Sequence, residues 1–377
     1  MKNNTFVRKY FSIGVIFFFM GTSIVPSIQS EFPSETTIIT VDDEPGDADF
    51  TSIKEAVNFS SPGDTIEVYS GTYPEDEILI GIDNITLQGI SHELGEGNDS
   101  GKPFIKGNVS LGEVLRVEAS QVLISNFIIE NSKGLDSKCI RVLEQNNITI
   151  SDCIIQTLNE GDSSSSGIYV YGDNIRIINN EISNCNPGIR AGTEHPGSLT
   201  ITSNVITDCG TYGGIYLSGN EQNLSGNIIR RCEKGINIHG LNNIIFGNDI
   251  QSCQAGVSNY EGSNNIISGN NIELCPIGFL NEWGGGNRII KNNFKNYNYS
   301  WNEPWWMRQM VVPYSFDKKD RWIGNYWDTL TGIGSKKILG VIFFGLVISA
   351  EFGLGFVIPI PWVEYDRLPA RNPYAIP

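Results

Sequence analysis

Residues 242–257 read NNIIFGNDIQSCQAGV, and residues 264–279 read NNIISGNNIELCPIGF. Laid one over the other, they match at an Asn pair, an Ile pair, a Gly-Asn step, a lone Ile, a Cys and a Gly-apolar step. The pattern extends in both directions. Aligned on its polar slot, it places Asn126, Cys153, Asn180, Asn204, Asn227, Asn248, Asn270 and Asn292 in one column, at intervals of 27, 27, 24, 23, 21, 22 and 22 residues. Three residues earlier stand Leu123, Ile150, Ile177, Ile201, Leu224, Ile245, Ile267 and Ile289. Two residues after the slot stand Ile128, Ile155, Ile182, Ile206, Ile229, Ile250, Ile272 and Phe294. A third aliphatic column follows, Ile140, Ile168, Ile189, Ile215, Ile236, Val257 and Phe279, usually preceded by Gly. A period in this range marks a stacked array, in which each unit buries its apolar face only against its neighbours.

Within a unit the apolar residues alternate, as in Ile148-Thr149-Ile150 and Ile236-Asn237-Ile238. Alternation over short stretches reads as strand, and no stretch is long enough for a three-turn helix. Each unit therefore supplies one strand to each of three sheets, and stacking at about 4.8 Å makes every sheet parallel. The expected fold is all-β: a single-stranded right-handed parallel β-helix of about ten coils, once Ile85–Leu87 and Val114–Val117 are counted as upstream strands. The Asn column suits a corner, because Asn tolerates left-handed backbone and its amide can bond the amides above and below. The Gly before the third strand reads as a second corner residue.

Five residues after the slot stand Cys185, Cys209, Cys232, Cys253 and Cys275, five of the seven cysteines. In-line side chains stacked at about 4.8 Å point the same way, which suits a disulfide poorly, and a metal wants ligands converging on a point. The row reads as buried thiols acting as small hydrophobes, with Cys153 in an Asn slot and Cys139 in a Gly slot.

The two ends differ from the repeat. Lys2, Arg8 and Lys9 precede the apolar run Phe11–Met20, with small residues at Ser27 and Ser30. Residues 1–30 read as a secretory signal peptide or an N-terminal membrane anchor, which implies an extracellular, cell-surface location. The Asn-x-Ser/Thr sequons at Asn58, Asn84, Asn98, Asn108, Asn147, Asn223 and Asn298 are weak signals in so Asn-rich a chain. The β-helix is expected over 38–297. A short capping helix near 50–59 shows Ile53, Ala56 and Val57 on one face, with Asp49 or Thr51 as its cap. Asp42, Asp43, Glu44, Asp47 and Asp49 offer calcium ligands but lack loop-motif spacing, so the reading is a solvated acidic turn with no cofactor. All seven Trp lie beyond residue 282 (Trp283, Trp301, Trp305, Trp306, Trp322, Trp327 and Trp362), and residues 298–377 read as an aromatic-rich C-terminal cap. A sugar-stacking platform is the alternative for these Trp. Leu339–Ile360 is long enough for a spanning helix, but its internal Gly, Pro359 and Glu351 favour buried strands.

These residues resemble a known group. The entry segment VDD at 41–43, DFTSIKEAV at 49–57, SPGDTIEVY at 61–69 and GTY at 71–73 is similar to that of pectin-lyase-like β-helix proteins. The Asn-Ile-x-Ile coils and the closing GNYWD at 324–328 resemble the NosD branch, named for a periplasmic copper-assembly protein. The resemblance implies the β-helix fold, and carbohydrate or copper as ligands.

Copper wants clustered His, Met or Cys. The three His (His92, His195 and His239) and four Met show no pair at ligand spacing. Glycoside hydrolysis needs two carboxylates about 5–10 Å apart, which a β-helix would supply from matching slots of adjacent coils. Asp152, Glu181, Asp208, Glu233, Asp249 and Glu273 occupy differing slots, and no acid stack with a base suggests a lyase.

One face differs. Outward positions of the third sheet run Arg141, Tyr169, Arg190, Tyr216, Asn237, Ser258, Leu280, and two residues on they run Leu143, Tyr171, Gly192, Ser218, His239, Tyr260, Glu282. Net charge is −16 overall, and residues 1–30 hold three bases and no acid, so the rest is more acidic still. That acidity argues against nucleic acid. Against it, a strip of Arg141, Tyr169, Tyr171, Arg190, Tyr216, His239 and Tyr260 suits sugar rings and carboxylate or sulfate groups. The loops Leu158–Ser166 and Gly192–Ser198 flank it as groove walls. The sequence thus favours an exported, non-catalytic module for carbohydrate binding, adhesion or structure. A polysaccharide lyase or glycoside hydrolase is the first alternative, and NosD-type copper handling the second.

Overall fold

Alternating apolar residues wind the chain into three parallel ladders. The computed structural model describes residues 36–295 except 96, 109–111, 132–135, 159–164, 193–198 and 283. Beyond these it describes 320–323, 325–327, 336–349, 354–366, 369–370 and 372–375, all within the compact unit Glu35–Pro377. Residues 1–30, His195, Trp283, Trp301, Trp305, Trp306 and most of the two flanking loops lie outside the described residues.

The first ladder starts at Ile38–Val41, which pairs with Thr65–Val68, and ends at Arg321–Ile323. The second is an 11-stranded sheet from Thr72–Tyr73 to Tyr326–Trp327. The third runs from Ile78–Ile80 to Ile277–Glu282. The first and third merge into one 19-stranded sheet because Ser137–Ser151 and Ser166–Ile178 run through a corner without a break. The result is a right-handed parallel β-helix of about ten turns. Two ladders continue past residue 297 into the segment read as the cap.

The three aliphatic columns are in register from the coil of Ile150 onward: Ile150 faces Ile177, Ile155 faces Ile182, and Ile140 faces Ile168. Their members are 0–1% exposed and form one continuous core. One coil departs from the sequence alignment. Ile124, not Leu123, faces Ile150, and Ile129, not Ile128, faces Ile155. Phe127 therefore occupies the polar slot beside Cys153, and Asn126 sits one place earlier.

The reason lies in the corner. In each later coil the residue just before the slot is left-handed: Asp152 (φ 57°), Asn179 (57°), Ser203 (58°), Gly226 (63°), Gly247 (65°), Gly269 (63°) and Lys291 (53°). Asn126 (φ 65°) belongs to that column. The slot Asn residues themselves do not take left-handed backbone; they are there for hydrogen bonding. Asn248 Oδ1 accepts from the backbone N–H of Asn227 (3.0 Å) and from its Nδ2 (2.9 Å). Asn248 Nδ2 donates to Asn270 Oδ1 (2.9 Å) and to the Leu224 carbonyl (3.1 Å). The relay runs Asn180, Asn204, Asn227, Asn248, Asn270, Asn292 and ends on Asn325, inside the GNYWD segment.

A second buried relay occupies the corner before the first ladder. Backbone N–H groups of Leu199, Gln222, Asn243, Asn265 and Asn287 donate in turn to side chains of Gln222, Asn243, Asn265, Asn287 and Asp320. Asp320 also accepts from Asn281 Nδ2 at 2.9 Å. A buried amide without partners is costly, so these chains fix which coil sits on which.

The Gly before the third strand has a packing reason, not a turn reason. A Cβ on Gly235 would lie 2.4 Å from the Gly256 carbonyl oxygen of the next coil. Beside this column, each thiol of the Cys row donates to the carbonyl two residues back, as Cys185 Sγ does to Ser183 (3.0 Å) and Cys209 to Thr207 (3.4 Å). All seven cysteines are free and buried.

The helix is Ile53–Phe59 and buries Ile53, Ala56 and Val57. Its cap is Ser52, whose hydroxyl accepts from the Glu55 N–H; neither Asp49 nor Thr51 serves. Asp49 is instead bonded to the Thr40 amide and hydroxyl, both at 2.9 Å. Near the C-terminus, Lys336–Ser349 pairs antiparallel with Leu354–Asp366, so the described residues of the run Leu339–Ile360 fall in strands. Among the described residues no helix is long and apolar enough to cross a membrane.

Candidate functional site

On the third ladder, register brings together side chains far apart in sequence. Tyr169 faces Arg190, Arg190 faces Tyr216, and Tyr216 faces Asn237. The Arg190 guanidinium lies between two rings, its carbon 5.3 Å from the centroids of both Tyr169 and Tyr216. Asn237 and Ser258, next in that column, are covered, at 3% and 0% exposure. The exposed line therefore moves two residues along. The Tyr216 ring packs on His239 at 4.7 Å and 32°, and His239 on Tyr260 at 5.0 Å and 38°. Tyr212, which sequence reading passed over, meets Tyr216 edge-on at 6.0 Å. It precedes the strand Ile215–Leu217, where no periodicity flags it.

Five of the seven expected residues thus form one file, a side chain per coil: Tyr169, Arg190, Tyr216, His239 and Tyr260. The other two lie beside the file, and Arg141 faces Tyr169 from the preceding coil. Arg141 is paired with Glu113 and lines a separate groove of about 450 Å³ with Arg116, Glu118 and Glu144. Tyr171 faces Leu143 and Gly192 in register.

The file's electrostatics follow from its packing. Burial holds the His239 imidazole below its ordinary range, and the charges of Lys234 and Arg190 push the same way. Burial raises the Tyr216 phenol, Arg190 opposes this, and Tyr212 adds to it. The file carries one permanent cation, sandwiched by rings, and no carboxylate.

Two of the acids considered for catalysis are held by bases. Asp208 receives Arg231 Nε (2.7 Å) and Nη2 (2.6 Å), and that guanidinium holds its carboxyl below the usual range. Asp249 accepts from Gln251 and Asn271 and lies 3.6 Å from Arg230. It lines a polar groove of about 390 Å³ with Asn271, Asn293, Lys295 and Tyr374. Asn293 clamps the Tyr374 backbone through bonds of 2.8 and 2.7 Å. This groove escaped sequence reading because Tyr374 lies 81 residues from Asn293.

A family model described as "Periplasmic copper-binding protein (NosD)" matches residues 100–332. The chain belongs to the NosD family. No curated protein matches this NosD-family chain. Among solved structures, XylC in complex with xylose is similar at a TM-score of 0.50 and 11% identity, over 77% of this chain and 72% of that one. A PL6 alginate lyase in complex with a trisaccharide has a TM-score of 0.49 and 14% identity, over 71% of this chain. The NosD-family chain spans 62% of that lyase. A pectin methylesterase from Aspergillus niger has a TM-score of 0.41 and 15% identity, over 68% of this chain and 86% of that one. At these identities the likeness is one of fold.

The donors among the described residues do not fit copper. His92 packs edge-on to Tyr69 at 5.5 Å, and His239 is stacked between Tyr216 and Tyr260, on a different part of the β-helix. The soft donors are interior. Burial pushes the Cys139 thiol up to about 12 and the Cys153 thiol up to about 11, which disfavours the thiolate a metal needs at these two positions; Cys253 is held low by its neighbours Cys232 and Cys275 but is itself buried. The groups of donors close enough to share an ion are all carboxylates, and hard oxygen donors do not select copper.

Proposed function

We propose that this NosD-family protein is an exported, non-catalytic β-helix that binds carbohydrate along the Tyr169–Arg190–Tyr216–His239–Tyr260 file. One observation carries the reading: five successive coils each place one ring or guanidinium on a single exposed line, in a chain of strongly acidic balance. Aromatic faces suit the C–H faces of sugars, and the Arg190 fork suits a carboxylate or sulfate. Because Arg190 is already sandwiched by two rings, it is held in one place before ligand arrives, which lowers the cost of ordering on binding. The acids tied to Arg231 and Arg230 support a binding role over hydrolysis.

The test is a glycan array probed with the full chain, alongside the variants Arg190→Ala and Tyr216→Ala. Retention of uronate-bearing or sulfated glycans is expected, weakened at least tenfold in both variants, with unchanged circular dichroism. Equal retention by both variants would remove the file from the binding surface. Release of new reducing ends or unsaturated uronates, abolished by a single Asp or Glu substitution, would replace binding with catalysis.

A further inference from the structure

Where the chain enters the β-helix, the turn after Ile38–Val41 and the loop after Thr86–Gly89 meet, and acids from both converge. Ligand oxygens of Asp42, Asp43 and Glu44 lie within 4.8 Å of one another, as do those of Glu44, Glu93 and Asp99. Glu44 belongs to both groups and joins the two segments. An acidic turn alone is ordinary surface. Asp42 is not on the surface: it is 0% exposed, and neither of its carboxylate oxygens has a hydrogen-bond partner. Asp43 Oδ1, Glu44 Oε2 and Glu93 Oε1 are likewise buried and unpartnered. Two further oxygens are anchored, Asp43 Oδ2 by the Thr72 N–H (3.0 Å) and Glu93 Oε2 by the Asp99 N–H (2.9 Å). Among the described residues, no ion pair joins these five acids to a base.

A buried carboxylate without a donor or a cation is costly, and five orphaned oxygens gathered in one place multiply that cost. Protonation alone is one remedy; a cation is the other. Oxygen atoms on opposite sides of a bound calcium ion stand roughly 5 Å apart, since each lies at about 2.3–2.6 Å from it. The oxygens of each group lie close enough together to share one such ion. The backbone also closes on the cluster: a Cβ on Gly71 would fall 2.0 Å from Asp43 Oδ1, so only Gly lets that carboxylate seat.

We infer that Asp42, Asp43 and Glu44, with Glu93 and Asp99 reached through Glu44, form a calcium site that staples the entry turn to the 92–99 loop. Hard, all-oxygen ligation with several carboxylates selects calcium over the softer transition metals. Asp49 lies in the same acidic run but is spent on Thr40, so it stands outside the site.

The experiment uses the full chain, stripped with chelator and desalted, and titrated calorimetrically with calcium chloride. Saturable binding is expected, together with a rise of several degrees in the thermal midpoint. Asp42→Asn and Glu44→Gln should each weaken binding at least tenfold, and Asp49→Asn should leave it unchanged. A measurement without variants guards against misfolding. Tyr73 lies beside Asp42 and Asp43, so terbium in the site should luminesce on tyrosine excitation and be displaced by calcium. Absence of displaceable terbium luminescence in the wild type, or loss of calcium binding in Asp49→Asn alone, would overturn the assignment. No binding heat and no thermal shift would leave protonation as the remedy and remove the site.

Discussion

Arg190 reaches from its own coil over the ring of Tyr216 on the next, with the guanidinium carbon 5.3 Å from the ring centroid. Tyr169 offers the same contact from the other side. Because Arg190 is itself exposed, truncating it to Ala should cost about 1 kcal/mol or less of folding stability. A urea midpoint within that range, with glycan retention reduced at least tenfold, is the expected pair of results. A large loss of stability with unchanged retention would mean the sandwich serves the fold alone.

The imidazole next along the file should give the file a pH signature. The folded protein holds His239 below its ordinary value, chiefly by burial, so the unfolded chain binds the proton more readily. Stability contributed by neutral His239 is therefore full above about pH 6.5 and declines as pH falls below that value. Urea midpoints of wild type and His239→Gln, measured across this range, should run parallel at neutral pH and converge on acidification. A constant difference at every pH would contradict the lowered value.

Removing one amide from the relay tests what the Asn column contributes. Asn248→Ala deletes the acceptor for two Asn227 donors and the donor to Asn270 and Leu224. Leaving these groups buried and unpaired should cost about 3 kcal/mol. Because each coil touches only its neighbours, hydrogen exchange should accelerate first at Asn227 and Asn270. Uniform acceleration along the chain would argue against local coupling.

The thiol row should be chemically silent. All seven Cys are buried, so an aromatic disulfide reagent should label none in the native protein and all seven after denaturation. Rapid labelling of any thiol in the native protein would show that a coil opens.

Much of this was legible because a β-helix writes its structure one coil at a time. The interior columns, the Cys row and the third-ladder register could be read from spacing alone. The failure at Asn126 is instructive. Asn is favoured both at the left-handed corner and at the relay slot beside it, so one Asn cannot say which place it fills. Phe127 could, since an aromatic ring in the slot means the relay has not begun. The second relay was missed because Gln222 and Asp320 break its Asn pattern. The diagonal step from Tyr216 to His239 was hidden too. It depends on Asn237 and Ser258 being covered, and coverage is not written in any repeat. The buried state of Asp42 was hidden for the same reason, since an acidic turn looks alike in or out of solvent.

Both amide relays run one way: each side-chain oxygen serves the coil before it, and the last receivers are Asn325 and Asp320. The winding therefore has a grammar of head and tail, and the upper and lower surfaces of an interior coil fit one another like identical couplings. Duplicating residues 242–263 would insert a turn with one new junction, in which both relay Asn and the aliphatic columns recur while Phe246 and Asp249 meet their own copies in place of Ser268 and Asn271. Length in this protein is a quantity that gene duplication can add to while both relays stay unbroken.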